Sequence, residues 1–261
     1  MNKLSNLNCH SISHHVSFGE DVGHEIRFFG RRHGKTIKGS RQRLLEELLP
    51  KLVPQLPDKG KKFHMDGLFT APVTSFCLEV GFGGGEHLAS MAKKYPNMGF
   101  VGAEPFLNGV SSLLAHLSGS HLKESRSFEL ESGRVDNVRI WPDDVRELFP
   151  YFPNAVFDCI FVLYPDPWPK ARHAERRFIN MANLKHLNRL ISSEGKLYVA
   201  TDVPAYAEWA LLQVQESGLF EQTNVDTSLP PEDWVTTRYE QKALKAGRTP
   251  VYLVFQKKHL K

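Results

Sequence analysis

A chain of 261 residues with 41% hydrophobic content can bury one sizeable core, and although length alone would also tolerate two smaller domains, one domain with an appended arm is expected. Lysine and arginine total 33 against 29 acids, a formal charge of +4, an excess compatible with an anionic partner that by itself names none. Three cysteines (Cys9, Cys77 and Cys159) without a CxxC pair, a start lacking a signal-peptide core and the absence of an uncharged run of bilayer length point to a reducing, cytoplasmic compartment and away from membrane or secretory classes.

Residues 1–40 are polar, rich in histidine, serine and glycine, and follow neither the helical nor the strand period. They read as a flexible arm that ends in the basic stretch "GRRHGKTIKGSRQR", with residues 41–261 as one domain. "RLLEELLPKLV" has leucines at helical spacing and predicts a short helix closed near Pro50 or Pro54, and "PDKGKKFHMDG" reads as loop. The chain then alternates: strand "SFCLEVGFG", helix "EHLASMAKKYP", strand "GFVGAEP", helix "LNGVSSLLAHL", strand "NVRIWPDD", strand "FDCIFVLYPDPW", helix "RRFINMANLKHLNRLI", strand "GKLYVATD", helix "YAEWALLQVQESG" and a final strand "PVYLVFQKK". Between Ser118 and Asp136 a polar stretch predicts a long surface excursion. Strands alternating with helices imply a mostly parallel sheet covered on both faces, with ligands beyond the carboxyl ends of the strands. That rule directs attention to Glu79, Glu104, Asp144, Asp166 and Asp202, acids at or just past strand ends.

"EVGFGGGEH" sets Gly81, Gly83 and Gly85 between a strand and a helix, where the backbone can turn tightly and approach a ligand. A dinucleotide fingerprint would need glycine where this chain has Glu86. The leading Glu79 suits a cation better than a pyrophosphate, and S-adenosylmethionine offers one in its ammonium and its sulfonium. Glu104 is placed to accept from both hydroxyls of a ribose. Asp144 could accept from the exocyclic amine of an adenine. Taken singly, each acid would pass for a helix cap or a solvated turn residue; with the glycine loop they indicate a nucleoside cofactor.

In "YPDPWPKARHAERR", Pro165, Pro167 and Pro169 restrict the backbone around Asp166. A carboxylate fixed there can take the adjacent N1–H and N2–H donors of a guanine while Trp168 or Tyr164 packs on a ring face. A proline-rich turn with Trp168 filling a surface groove would look the same, but Lys170, Arg172, His173, Arg176 and Arg177 follow at once and could meet a phosphate backbone. Arg31, Arg32, Lys35, Lys38, Arg41 and Arg43 could add a second clamp. The histidines form no ligand pattern, and no metal is expected.

With these motifs in view, the chain resembles the bacterial tRNA (guanine-N7-)-methyltransferase family, within the class I S-adenosylmethionine-dependent methyltransferases. The resemblance runs from about Phe28 onward. It rests on "GRRHGK", "EVGFGGGEHL", "GAEPF", "YPDPWPKARHAERR", "ATDVPAYAEW" and "TRYEQKALKAGRTPVYLVF". It implies a Rossmann-like α/β fold with a C-terminal antiparallel strand, S-adenosylmethionine as cofactor, and tRNA as partner, methylated at a guanine of the variable loop. Glu79, Gly81, Gly83, Gly85, Glu104, Asp144 and Asp166 would then meet the cofactor, with Asp166 also catalytic. Lys170, Asp202, Thr237, Arg238, Tyr239 and Glu240 would meet the substrate. The expected state is monomer or homodimer, with no obligate protein partner. Three other readings stay open on the residues alone: methylation of an exocyclic amine, a nicotinamide-dependent dehydrogenase, and an RNA-binding module without chemistry.

Overall fold

The computed structural model describes residues 28–118 and 136–258; most of the predicted arm, Cys9 and residues 119–135 of the predicted excursion lie outside them. Two short helices come first, α1 (Ser40–Glu47) and α2 (Leu49–Leu52). Pro50 does not end the helical segment. It occupies the first turn of α2, where its missing N–H costs nothing.

The alternating region follows as β1 (Ser75–Val80), α3 (Glu86–Lys94), β2 (Met98–Ala103), α4 (Leu107–Ser118), β3 (Val138–Trp141) and β4 (Phe157–Leu163). It continues with α5 (Met181–Leu190), β5 (Ile191–Thr201), α6 (Pro204–Ser217), β6 (Phe220–Gln222), α7 (Arg238–Lys245) and β7 (Val251–Lys257). Two of these, β6 and α7, were not among the predicted elements. Helix α5 also begins later than its arginine-rich leader suggests, because the Asn180 side chain accepts from the backbone N–H of Asn183 at 3.0 Å and sets the first turn there. Helix α6 is bounded by Pro204 in its first turn and by Gly218 in the left-handed conformation.

The seven strands form one sheet in the order β3-β2-β1-β4-β5-β7-β6. Pairs from β3 through β5 are parallel, whereas β7 runs antiparallel to both β5 and β6. Alternate strand residues point to opposite faces, and each face has its own helices. Leu78, Val80, Ile160, Val162, Leu197 and Val199 pack with α5 and α6. Cys77, Phe100, Val138, Ile140 and Phe161 pack with α1 through α4. Leu184, Leu187 and Leu190 of α5 are wholly buried, each contributing ~1.5–3 kcal/mol of apolar burial. Because β1 pairs with β2 on one side and β4 on the other, the connections leaving β1 and β4 diverge to opposite faces and open a crevice at the carboxyl edge. No helix among the described residues is long and apolar enough to cross a membrane.

Candidate active site

A cavity of about 650 Å³ lies in that crevice, walled by Gly81, Gly83, Glu104, Asp144, Asp166, Trp168, Arg176 and Tyr239 among others, and by residues 28–31 at its mouth. That is the size of pocket that takes a nucleoside-class ligand. The glycine loop shapes its floor. Gly83 has φ +57, and a Cβ there would stand 2.9 Å from Cε2 of Tyr239; Gly85 has φ +78, and its Cβ would meet Leu113 Cβ at 2.5 Å. The loop therefore needs glycine for both its conformation and its clearance.

Glu104 ties this loop to the one after β2. Its Oε2 accepts from the Gly83 N–H and its Oε1 from the Phe106 N–H, both at 2.8 Å. Burial is the main influence on its carboxyl and drives the pKa up to about 7, opposed by those two backbone donors and assisted by the charges of Asp166 and Glu79. Each oxygen keeps a lone pair for a ligand donor.

Glu79 sits behind the loop. Its Oε2 is 2.8 Å from Nδ1 of His87, both side chains are 3% exposed, and the imidazole packs edge-on against Phe161. Asp144 ends β3's connection in a fork: Nε of Arg146 donates to Oδ1 at 2.9 Å and Nη2 to Oδ2 at 2.6 Å, while the Arg146 backbone N–H also reaches Oδ1. Next to it, Asp143 accepts from Arg32 at 2.6 Å. The stretch 32–35 is stitched to α4, since Leu107 N–H donates to the Arg32 carbonyl and Asn108 bonds the backbone of Gly34 and Lys35.

The elbow after β4 holds two non-glycine residues in left-handed backbone, Tyr164 (φ 51) and Trp168 (φ 39). Such conformations cost ~1–3 kcal/mol each and persist where the surroundings impose them. Asp166 lies between them, exposed, and no group among the described residues donates a hydrogen bond to it. Trp168 meets Phe29 edge-on at 6.4 Å, and the Arg176 guanidinium stands 4.4 Å from the Phe29 ring centre and 5.2 Å from that of Trp168.

The expected substrate residues divide into two groups. Lys170, Arg238 and Tyr239 are exposed, and Tyr239 covers Gly83. Thr237 is the N-cap of α7, accepting from the Glu240 N–H at 3.0 Å. Glu240 is 4% exposed, and its two oxygens accept from Trp234 Nε1 and the Tyr252 hydroxyl, both at 2.8 Å. Asp202 is paired with Nε of Arg248 at 2.6 Å, so Arg248 meets a carboxylate within the chain. Replacing Glu240 with alanine would strand the buried Tyr252 hydroxyl and the partly buried Trp234 indole N–H, at up to ~1–3 kcal/mol each. The expected result is a thermal midpoint lower by about 5–15 °C; a scan giving the unchanged midpoint would contradict the staple. Among the described residues, no cluster of three or more His, Cys, Asp or Glu side chains is arranged to hold a metal.

Sequence reasoning overlooked the partners of these acids. His87, Arg146 and the Phe29–Arg176 stack belong to the site, and only Arg176 had been singled out, as a phosphate contact.

Sheet order, the switch-point cavity and the glycine loop together define a class I methyltransferase fold. The 16S rRNA methyltransferase KamB shares that fold, with a TM-score of 0.55 at 14% identity over 79% of this chain and 96% of KamB. The family model described as "Putative methyltransferase" matches residues 73–253. The tRNA (guanine-N(7)-)-methyltransferase of Rhodospirillum rubrum is 44% identical over 239 residues, 90% of this chain and 89% of the relative. That of Paramagnetospirillum magneticum is 42% identical over 94% of this chain and 98% of the relative. The chain belongs to the tRNA (guanine-N(7)-)-methyltransferase family.

Proposed function

We propose that the cavity holds S-adenosylmethionine and that Asp166 positions a tRNA guanine, that of the variable loop, whose N7 receives the methyl group. The observation that carries this reading is the Asp166 carboxylate: set on a strained elbow, without a hydrogen-bond donor among the described residues, and on the wall of the same cavity as Glu104. The donor set fits the cofactor. Glu104 offers two oxygens to ribose hydroxyls, Gly81 and Gly83 give backbone access while Gly85, packed on Leu113, shapes the turn, Asp144 faces the cavity for the adenine amine, and Glu79 stands behind the loop toward the cationic end.

The cofactor, when bound, supplies an electrophilic methyl on a sulfonium. Guanine N7 already has a lone pair, so accepting that methyl would require no residue of the chain to remove a proton, and the purine would gain the positive charge. No strong base is needed, and positioning dominates. Asp166, accepting from N1–H and N2–H, orients the base and favours a ring that becomes cationic. Lys170, Arg238 and Tyr239 are free to meet RNA, whereas Thr237 and Glu240 act from inside by placing α7, and Asp202 acts through its pair with Arg248. Nucleoside mass spectrometry on unmodified tRNA transcripts with S-adenosylmethionine tests the reading: 7-methylguanosine is the expected product, and methylation at another atom would overturn it.

Glu104 gives a pH prediction. Its folded pKa, about 7, exceeds the ordinary value of ~4.3, so its contribution to stability is complete below the ordinary value and is lost as pH rises through about 7. Ribose hydroxyls favour the ionised form and reverse the trend for the complex. Cofactor affinity is expected to rise between about pH 6 and about pH 8, with proton release on binding, and to lose that slope in Glu104→Gln. Calorimetric titrations in that window measure both, and a flat affinity for the unaltered protein would remove Glu104 from the ribose.

A further inference from the structure

Arg177 ends the basic run that the sequence offers to a phosphate backbone, yet its guanidinium is engaged inside the protein. Nε donates to the carbonyl of Pro167 at 3.1 Å and to that of Trp168 at 3.3 Å, and Nη2 donates to Trp168 at 3.1 Å. The guanidinium carbon lies 4.7 Å from the ring centre of Trp209 on α6. Trp209 is itself held, its indole N–H donating to the Ile179 carbonyl at 2.7 Å. The Arg177 carbonyl accepts from the Asn180 side chain at 2.8 Å, and Asn180 caps α5. One residue thus joins the elbow to the N-cap of α5 and to the side of α6. A planar fork that binds two carbonyls while its face lies on an indole is a geometry lysine cannot reproduce.

The two carbonyls it holds belong to the residues directly after Asp166, one of them Trp168 in its left-handed conformation. Fixing those peptide planes fixes the backbone from which the Asp166 carboxylate projects. We propose that Arg177 is a positioning residue for methyl transfer, holding the strained elbow so that Asp166 meets the guanine, and that it makes no phosphate contact. The inference rests on the reading of Asp166 given above. The two fail separately: full turnover in Asp166→Asn removes that reading, whereas loss there with full turnover in Arg177→Lys removes only the brace.

The test compares Arg177→Lys, Arg177→Ala and Arg172→Ala in the full chain, reading kcat, tRNA affinity against salt, and S-adenosylmethionine affinity. Arg172 is exposed and serves as the phosphate comparator. Arg177→Lys is expected to lower kcat about tenfold or more, with cofactor affinity and salt slope unchanged. Arg172→Ala is expected to weaken tRNA binding and reduce the slope of log K against log salt by about one. A similar reduction in Arg177→Ala, or normal kcat in Arg177→Lys, overturns the proposal. Should Arg177→Lys lose cofactor binding through misfolding, Trp209→Phe decides: it keeps a ring while weakening the stack, and a smaller loss confined to kcat supports the brace, whereas unchanged kcat overturns it.

Discussion

Asp166→Asn is expected to slow methyl transfer by about 10²–10³-fold while S-adenosylmethionine affinity stays within about threefold of its starting value. The substitution keeps size and elbow, so backbone and packing are preserved. It replaces a group that accepts two hydrogen bonds with one that accepts at its oxygen and presents an NH2 to the second guanine donor. It also removes the negative charge facing a ring that becomes cationic, an interaction that grows during the reaction and so counts against the barrier. Single-turnover rates at saturating tRNA, beside an equilibrium cofactor titration, separate the two quantities. Equal losses in rate and cofactor affinity would mean that Asp166 chiefly builds the cofactor pocket.

Gly109→Ala is expected to weaken cofactor binding by about ten- to a hundredfold, although the residue is inside α4 and touches no proposed ligand. An alanine there would ordinarily help a helix by up to ~1 kcal/mol. Here the added Cβ would stand 2.2 Å from the carbonyl oxygen of Gly83 and 3.1 Å from its carbonyl carbon. Backbone cannot rotate out of the way as a side-chain tip can, so the glycine loop must shift and the Gly83 N–H must leave Glu104. A hydrogen bond to a charged group is worth ~1.5–3 kcal/mol, which exceeds the propensity gain. Cofactor titration with thermal unfolding checks this, and unchanged affinity would show that the loop yields without consequence.

Strands buried on both faces announced themselves as apolar runs, which is why β1, β2, β4 and β7 lie where "SFCLEV", "GFVGA", "FDCIFVL" and "VYLVF" stand. The three residues of β6 carry too little pattern to be seen, because pairing with β7 rather than local sequence makes them a strand. Helix α7 was hidden by its charge: only Glu240 and Ala243 of its eight residues are buried, and the force that fixes it, Glu240 between Trp234 and Tyr252, comes from residues on either side of it. At the site, the acids were legible because strand ends in such a sheet point at ligands. Their partners were not. Arg248 reaches Asp202 across 46 positions and Arg32 reaches Asp143 across 111, distances over which charge pairing leaves no periodic trace. Arg177 looked like part of a solvated basic run because nothing in "HAERR" distinguishes the arginine that turns inward.

The antiparallel insertion of β7 between β5 and β6 also bears on how the molecule is made. Until β7 emerges during synthesis, β5 presents an unpaired edge on one side and β6 has no strand to join. An open edge of that kind can recruit strands from other chains. The same late strand brings Tyr252 to Glu240, so α7 gains this anchor only when the sheet closes. A ribosome that stalls before β7 would therefore release a nascent chain with its glycine loop already synthesised, its guanine side unanchored and an adhesive border exposed.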